Sequence, residues 1–400
     1  MTQPVAVIFG AGNIGRGFLG QLFHESGLEV VFVDVDTLLI DTLNQRRGYT
    51  IQMVENDSQA EMWISPVRAY AASQQADVAR ALAQAQIAAT AVGVRALAAI
   101  APLLAEGVRL RAEAGSPALN IVVCENLKDA AHHLRALVAA RLQPEANDYF
   151  QSRVGFVETV IGRMVPPPTP EMRAADPGLI LVEPYKELPV DRSGVVGTVP
   201  QIVGMELCDN FVAYTARKLY LHNCGHAVLA YLGYRYGHTY GYDALADERI
   251  FPCLERAMRE AQAGIVKVYG ASSTWLDQHR ADLLRRFANR ALGDTIFRLG
   301  RDPLRKLAPE DRLVGAARLA EQAGILPDML AWGVAAALCF DPQEDPLAQE
   351  LQTRISAQGI ETVLMEVCRV NADEMLGRLV LERFDWLKQG KMPEIDRPEN

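Results

Sequence analysis

The sequence lacks the features that mark several large classes of protein. Its 400 residues include 40 Lys and Arg against 49 Asp and Glu, a formal net charge of -9. A dedicated nucleic-acid-binding protein more often carries a basic surplus. No apolar run reaches the roughly 18 residues that suggest a membrane helix. These two absences predict that neither nucleic acid nor a membrane is a partner.

Cysteine is also sparse. The chain has six cysteines, widely spaced and without a C-x-x-C pair, which argues against a disulfide framework or a zinc ribbon. No basic segment precedes the first strand-like run, which begins at Pro4, so a secretory signal is not expected and the cytoplasm is the predicted location. What remains is an ordinary globular composition, 50% hydrophobic, for which two or three domains of roughly 100–200 residues are expected.

The two halves of the chain differ in pattern. Residues 5–9 and 30–33 are continuous apolar runs, typical of strands buried on both faces, and a helix pattern over 13–26 separates them. This alternation predicts a parallel sheet covered by helices. From about Met205 the pattern is almost wholly helical. We therefore predict an α/β domain over 1–200, ending in a connecting segment that begins with the prolines of 165–170, and a mostly α-helical domain over 201–390.

A glycine-rich motif follows the first buried strand and opens the first helix. In G-x-G-x-x-G, the first glycine permits a tight turn, the second lets the backbone approach a pyrophosphate, and the third allows close helix–strand packing. The helix N-terminus offers free N–H groups to the phosphates. The pattern predicts a Rossmann-type dinucleotide-binding domain. The motif residues are Gly10, Ala11, Gly12, Asn13, Ile14 and Gly15.

The next strands supply further candidates for the cofactor site. Asp34 ends the second strand about 20 residues past the glycines, where a carboxylate binds a ribose 2′-hydroxyl and repels a 2′-phosphate. NAD is therefore favoured over NADP, with FAD as a weaker alternative. The small residues Ala91, Val92 and Gly93 end another strand, where a cofactor can pass. Asn126 follows a third strand, either as a helix cap or as a hydrogen-bond donor to the substrate.

The densest polar cluster in the helical half surrounds Lys218. At about 100° per residue, Lys218, His222 and His226 share one helix face, with Asn223 beside it. Oxidation of an alcohol by hydride transfer needs a base for the hydroxyl proton and donors for the developing alkoxide. Lys218 could be that base, with Asn223 as donor and His226 as orienting group. In a straight helix Lys218 and His226 are about 12 Å apart, so convergence requires a long reach or a break near Gly225.

Two simpler interpretations of this cluster stay open. One is a snorkelling lysine with a satisfied core histidine. The other is zinc bound by His222 and His226, although Asn223 stands where a zinc-protease helix has glutamate, and neither a cysteine pair nor an acidic third ligand is evident nearby. Metal binding is therefore not predicted.

Basic residues elsewhere have a functional and a structural interpretation. Arg163, just before the proline run, is predicted to bind substrate, with pinning of the domain junction as the alternative. Arg301, Arg305 and Lys306 could clamp a phosphate, although a solvated helix face is the ordinary explanation of such a run. His279 is predicted to be a surface residue.

Together these motifs resemble a family, the polyol-specific long-chain dehydrogenases. The similarity extends from Phe9 to about residue 370 and is closest to the sugar-phosphate branch, because of a block over 300–313. The matching blocks include residues 9–18, 90–93, 124–126, 155–157, 163–167, 204–207, 217–219 and 225–227. Together they are far more specific than any one motif.

The resemblance implies an activity and residue roles. The activity is the NAD-dependent, metal-free interconversion of D-mannitol 1-phosphate and D-fructose 6-phosphate. The family pattern Lys-x-x-x-x-Asn-x-x-His falls on Lys218, Asn223 and His226. It makes Lys218 the general base and Asn126 and Asn223 the oxyanion donors.

The sequence also departs from this family. His222 and Cys224 stand where the sugar-phosphate branch usually has Leu and Thr. The alternative functions are a dehydrogenase of a non-phosphorylated polyol or sugar acid and, from another class, a nicotinamide-sensing binding protein. In each case the partner is a small molecule, and the chain is expected to be a monomer or a small homo-oligomer.

Overall fold

The computed structural model describes residues 3–56, 58–166 and 168–393. The chain forms two compact units, Met1–Phe211 and Val212–Asn400. The predicted boundary at residue 200 falls inside the first unit. The reason is that residues 205–208 pair as a parallel strand with residues 188–191, which holds the end of the connecting segment in that unit.

The strands of the first unit are β1 Val5–Phe9, β2 Glu29–Asp34, β3 Tyr49–Glu55, β4 Ser58–Ile64, β5 Val67–Ala71, β6 Ala85–Thr90, β7 Leu119–Val123, β8 Val154–Glu158, β9 Ile180–Val182, β10 Leu188–Asp191 and β11 Met205–Cys208. Six of them form a parallel sheet with strand order β5-β2-β1-β6-β7-β8. Two smaller sheets, β4-β3-β9 and β10-β11, accompany it.

The central strands are apolar throughout because both of their faces are covered. In β1, Ala6 and Ile8 belong to one hydrophobic cluster, whereas Val5, Val7 and Phe9 belong to a second cluster on the other face. Alternate side chains of a strand point to opposite faces, so a doubly covered strand needs apolar residues at every position. The helices of this unit are α1 Gln21–Glu25, α2 Thr37–Arg46, α3 Gln75–Gln84, α4 Leu97–Glu113, α5 Ala130–Ala139, α6 Asn147–Arg153 and α7 Pro170–Ala175.

The predicted connecting segment is part of the first unit. Strand β9 pairs with β3, and the carbonyl of Pro189 in β10 accepts a hydrogen bond from the buried Thr159 hydroxyl. These contacts hold the segment as ordered structure beside the parallel sheet. Pro167, one of the four prolines of the 165–170 run, lies outside the described residues.

The second unit is helical in all the regular elements of its described residues. The predicted fold class, an α/β Rossmann-type domain followed by a mostly helical one, is confirmed. No helix in the described part of the chain is long and apolar enough to cross a membrane. The helices are α8 Phe211–Ala216, which begins at the boundary, α9 Cys224–Arg235, α10 Gly241–Ala246, α11 Phe251–Tyr269, α12 Ser273–Phe287, α13 Ile296–Gly300, α14 Pro303–Lys306, α15 Val314–Gln322, α16 Asp328–Leu338, α17 Pro346–Gln358, α18 Ile360–Val363 and α19 Met375–Lys388.

Among the residues that the structure describes, three helical runs contain π-helical segments, Gly15–Gly20, Arg217–Asn223 and Leu364–Cys368. In a π-helix the hydrogen bond spans five residues instead of four, and such turns are frequent at functional sites. The first segment begins at Gly15, the last glycine of the motif, and the second contains Lys218, His222 and Asn223.

Candidate active site

The glycine-rich turn is shaped by close backbone approaches. Gly10 has φ of 95°, and a Cβ there would lie 2.4 Å from the Ala91 carbonyl oxygen. A Cβ on Gly15 would lie 1.9 Å from the Gly10 carbonyl oxygen. At Gly12, by contrast, an added Cβ has no described atom within 4 Å beyond Gly12 itself and its two neighbours in the chain. This open side is where the second glycine of the motif lets a pyrophosphate approach, so the turn fits a dinucleotide.

The helix after the turn presents its N-terminus on the same side. Helical backbone begins at Asn13, and Asn13 and Ile14 are both partly exposed. Arg16 N already donates to the Gly12 carbonyl at 3.0 Å. The N–H groups ahead of Arg16 belong to the helix start, the part of a helix that carries free donors for an anion.

Asp34 lies directly against the glycine turn. Its Oδ2 accepts a hydrogen bond from Ala11 N at 2.5 Å, and its Oδ1 accepts from Val35 N and Asp36 N. The residue is only partly buried. Oδ1 already accepts two hydrogen bonds, whereas Oδ2 accepts one and has a second lone pair. Asp34 can therefore receive a ribose hydroxyl at Oδ2 while it holds the turn.

The loop at the end of β6 is held by a buried carboxylate. Val92 N and Gly93 N donate to the two oxygens of Glu125, at 2.9 and 2.8 Å. Glu125 is 9% exposed, and burial raises the pKa of its carboxyl group. Glu125 is not among the residues predicted for the site, although an acidic residue directly after an apolar strand is the signal that could have identified it.

Asn126 is exposed in the loop between β7 and α5. The N-cap residue of α5 is Asp129, and α5 starts at Ala130. Asn126 therefore does not cap this helix, which leaves donation to the substrate as the functional interpretation.

The described contacts of Arg163 are structural and lie within the first unit, not at the domain junction that was the predicted alternative. The side chain is 4% exposed. Its Nε donates to the Glu183 carbonyl at 2.7 Å, and its Nη1 donates to the Gly17 carbonyl and to Gln21 Oε1. Arg163 thus joins the helical run after the glycine turn to the end of β9 inside the first unit. The predicted substrate-binding role is not supported, because these groups occupy the guanidinium in the interior.

A second buried arginine supports the glycine turn directly. Arg16 Nε donates to the Ala11 carbonyl at 2.6 Å, and its Nη1 donates to the Gly178 carbonyl at 2.6 Å. Arg16 is not among the residues predicted for the site and falls only within the matching block 9–18. Its contact with Gly178 crosses 162 positions of the chain, which local patterns do not reveal.

In the second unit, Lys218 and Asn223 lie in the π-helical segment Arg217–Asn223. Because hydrogen bonds in this segment span five residues, Asn223 follows Lys218 by one helical turn. His226 comes three residues later in α9. The helix is not broken at Gly225: a Cβ there would approach Met258 and Phe287 at 3.3 Å, so this glycine permits close helix packing. Of the two predicted routes to convergence, a long reach from Lys218 or a break near Gly225, the break is absent, and a wider π-helical turn lies between Lys218 and Asn223.

Two imidazoles accompany Lys218. Lys218 Nζ lies 3.3 Å from His222 Nδ1, and the His222 and His226 rings meet edge-on with centroids 5.0 Å apart. His226 stacks on Phe287 of α12 at 3.8 Å. Burial, followed by the charge of Lys218, holds the pKa of both imidazoles well below the ordinary value of 6.5. Both rings are therefore neutral at pH 7.

Further basic groups face this cluster. His279 of α12 is 7% exposed, which corrects its predicted surface position, and burial followed by Arg217 lowers its pKa to about 2. The Arg217 guanidinium lies 4.3 Å from the Trp275 ring centroid. Arg286 is 3% exposed. Lys218 therefore lies in a region rich in positive and imidazole groups.

Cys224 is a buried thiol. It is 1% exposed, and burial raises its pKa to about 12. Because the thiolate is the reactive form of cysteine, this residue is unreactive at neutral pH. Its position beside Asn223 gives it a packing role.

The three residues of the predicted phosphate clamp have different environments. Arg301 and Arg305 are exposed, and Arg305 pairs with Asp302. Lys306 is 4% exposed, and its ammonium group donates to the Arg301 carbonyl. Burial, followed by Arg312, lowers the Lys306 pKa to about 7. Lys306 therefore stabilises the turn between α13 and α14, and its predicted phosphate contact is not supported.

Within the described residues there is no group of three or more His, Cys, Asp or Glu side chains arranged to hold a metal ion.

Comparison with known proteins identifies the family. The model of the mannitol dehydrogenase Rossmann domain matches residues 4–204, and that of the mannitol dehydrogenase C-terminal domain matches residues 210–372. The chain belongs to the mannitol dehydrogenase family. The resemblance inferred from the sequence motifs is confirmed, and both parts of the predicted architecture have counterparts in the family.

Members of this family with curated names are similar over nearly the whole chain. Mannitol-1-phosphate 5-dehydrogenase from Bacillus velezensis is 37% identical, covering 95% of this chain and 100% of that protein. The enzyme of the same name from Bacillus subtilis is 38% identical with the same coverage.

Solved structures share the fold of this family member at low sequence identity. D-sorbitol dehydrogenase in substrate-free form has a TM-score of 0.81 at 17% identity, covering 97% of this chain and 94% of that one. Pseudomonas fluorescens mannitol 2-dehydrogenase, in a ternary complex with NAD and D-mannitol, has a TM-score of 0.71 at 18% identity, covering 97% and 92%.

Proposed function

We propose that this chain is an NAD-dependent dehydrogenase that interconverts D-mannitol 1-phosphate and D-fructose 6-phosphate. The observation that carries the proposal is the 37–38% identity, over 95% of the chain, to enzymes named for this activity. The open side of Gly12 and the position of Asp34 against the turn support the dinucleotide. The free 2′-hydroxyl of NAD suits Asp34 better than the 2′-phosphate of NADP.

The proposed chemistry assigns a base and donors. Bound NAD supplies the hydride acceptor. Lys218 Nζ removes the proton of the substrate hydroxyl at C5, and the amides of Asn126 and Asn223 donate to the oxygen as negative charge develops on it. In the reverse direction the Lys218 ammonium returns the proton to the oxygen of the ketose. The neutral His226, stacked on Phe287, orients Asn223 in the preceding helical turn.

Lys218→Ala tests the base. A general base contributes about 10²–10⁴-fold to the rate, so kcat for D-mannitol 1-phosphate is expected to fall by that factor while the NADH dissociation constant stays within about twofold. Lys267→Ala, which removes an exposed lysine of α11, is the matched control. A Lys218→Ala enzyme with normal turnover contradicts the mechanism. If neither the Lys218→Ala protein nor the Lys267→Ala control turns over any polyol, the nicotinamide-sensing alternative is favoured.

The burial of Lys306 gives a second candidate some weight, namely a dehydrogenase of a non-phosphorylated polyol. We propose that Arg301 and Arg305, the exposed members of the predicted clamp, receive the phosphate. Substituting both by Gln is expected to lower kcat/KM for D-mannitol 1-phosphate by at least about tenfold and to leave that for D-mannitol unchanged, because charge-assisted hydrogen bonds are worth about 1.5–3 kcal/mol each. Equal activity of the wild type on both polyols would favour the second candidate.

The remaining partner and location predictions need their own measurements. We propose that the partners are the small-molecule substrate and NAD, without nucleic acid or a membrane, with a monomer or a small homo-oligomer in solution and a cytoplasmic location. Because the oxyanion is assigned to amide donors, activity is expected to survive exhaustive chelation. Loss of activity on chelation that is restored by Zn²⁺ would revive the zinc alternative.

A further inference from the structure

His222 is in direct contact with the predicted base. Its Nδ1 is within hydrogen-bonding distance of Lys218 Nζ, at 3.3 Å. The imidazole is 2% exposed and held in the neutral form by its surroundings. A neutral imidazole has one unprotonated ring nitrogen, which accepts a hydrogen bond. Neither the motif pattern nor the proposed chemistry gives this side chain a role.

We propose that His222 is a positioning residue for Lys218, with Nδ1 accepting one N–H of the lysine and thereby directing the amine lone pair toward the substrate hydroxyl. The proposal rests on the proposed role of Lys218 as the base. When Lys218 takes the hydroxyl proton, it gains a third N–H and keeps the hydrogen bond to His222. The imidazole neither gains nor loses a proton in this step.

The surroundings of His222 fix the direction of its ring. His226 packs against it edge-on, and the Phe287 ring lies 5.8 Å away at 59°. A buried ring with neighbours on two sides has little freedom to turn. The Nδ1 atom is therefore presented to Lys218 in a defined direction, which a flexible lysine side chain alone does not achieve.

The charged and titratable groups around His222 come from several elements. Lys218 and His226 lie on its own helical run, and His279 and Arg286 face it from α12. Next to it, Cys224 is influenced by Glu260 of α11 and by Asp311 and Arg312 ahead of α15. The groups that act most strongly on His222 are cationic or imidazole groups. They oppose a positive charge on its ring, so it acts as an acceptor at neutral pH.

This contact has a consequence for the pH profile. A hydrogen bond to an acceptor favours the ammonium form of lysine over the amine. Removal of the acceptor therefore eases deprotonation, and the limb of the polyol-oxidation profile that reports the base moves to lower pH. The amine is also less well directed, so kcat falls while substrate binding changes little.

Three substitutions at one position test the role. Asn places its amide oxygen the same number of bonds from Cα as Nδ1, whereas Gln places it one bond further, and Leu has no acceptor. His222→Asn is expected to keep the wild-type pH profile. His222→Leu and His222→Gln are expected to lose about tenfold in kcat with KM nearly unchanged. They should also move the limb down by about 0.7 pH unit, the equivalent of a fivefold change in the protonation equilibrium.

The measurements are kcat and kcat/KM for D-mannitol 1-phosphate across pH 6–10, with the NADH dissociation constant and the thermal unfolding midpoint as controls for folding. If His222→Leu does not fold, the comparison of the two amides decides alone. An unshifted profile in all the folded variants, or an equal shift in Asn and Gln, overturns the positioning role. Lys218→Ala is measured in parallel: its retention of turnover instead overturns the proposed base, and the His222 role with it.

Discussion

The two regions with proposed roles use different chemical groups. In the first unit, the cofactor groups are main-chain N–H donors held by carboxylates, with Asp34 on the glycine turn and Glu125 on the β6 loop. In the second unit, Lys218 lies among imidazole and guanidinium side chains. Main-chain donors are placed by the course of the backbone, whereas long side chains depend on neighbouring helices. The first region should therefore be sensitive to backbone changes and the second to burial and charge.

The glycine turn offers the largest test of this difference. Gly15→Ala places a Cβ 1.9 Å from the Gly10 carbonyl oxygen, so the turn must shift. We expect a loss of about 3 kcal/mol in the free energy of unfolding, at the upper end of overpacking costs, and NADH binding weakened by at least about a hundredfold. Urea denaturation and fluorescence titration with NADH measure the two effects.

Gly12→Ala is the matched control at the turn. Beyond the adjacent residues its Cβ meets no described atom within 4 Å, so stability should change by no more than about 0.5 kcal/mol. NADH binding should still weaken by about tenfold or more, because the methyl group occupies the pyrophosphate side. Equal effects of both substitutions on stability would contradict the assignment of the open side to the ligand.

A buried carboxylate is expected to make the stability of the second unit depend on pH. Glu260 of α11 accepts hydrogen bonds from Met329 N and Leu330 N at the start of α16, yet burial raises its pKa from 4.5 to about 7. Ionisation is therefore harder in the folded state, and stability falls as pH rises from about 4.5 through 7. The full effect is about 3 kcal/mol. Urea denaturation at pH 5 and pH 8 should show this loss in the wild type and not in Glu260→Gln.

The control lies on the same helix. Glu255 is less buried and pairs with Arg259 four residues on, so Glu255→Gln should change stability by about 0.5 kcal/mol or less at either pH. If the Glu260→Gln protein instead loses stability relative to the wild type as pH rises, ionisation of Glu260 stabilises the folded state, contrary to this prediction. This outcome would show that the two main-chain donors outweigh burial.

The smallest effect is expected at the loop after β6. Glu125→Gln can accept from only one of Val92 N and Gly93 N, so we expect NADH to bind about tenfold more weakly, the equivalent of about 1.4 kcal/mol. Glu158→Gln is the matched substitution. Glu158 ends the next strand and accepts from Ala131 N at 2.7 Å, at the start of α5. A similar loss of NADH affinity in both variants would indicate a general loosening of the sheet edge.

The parts of the fold that the sequence predicts correctly are those that depend on the spacing of residues close together in the chain. The apolar runs of β1 and β2, the glycines between them and Asp34 lie within 30 residues, and each follows from strand, turn or helix geometry. Strands such as β4, with five of its seven residues exposed, have no clear apolar pattern and were not predicted. Their pairing with distant residues decides their conformation.

The candidate site is less predictable because burial decides it. Lys306 and Arg163 look like solvent-facing cations along the sequence, yet both are buried with main-chain carbonyls as acceptors. Which face of a helix or loop is covered depends on elements far along the chain. The π-helical conformation of Arg217–Asn223 is not predictable from the sequence either, because its amino acids suit an ordinary α-helix equally well.

That segment also sets the phase between the two ends of one continuous helix. Hydrogen bonds five residues long accommodate one residue more per turn than α-helical ones, so α9 begins at a rotation that a regular helix would not give. Loss of one residue from Arg217–Asn223 would turn Lys218 by about 100° relative to His226. The number of residues in this segment therefore determines whether Lys218 and His226 face the same side. A one-residue deletion that leaves both side chains in the sequence is expected to abolish activity.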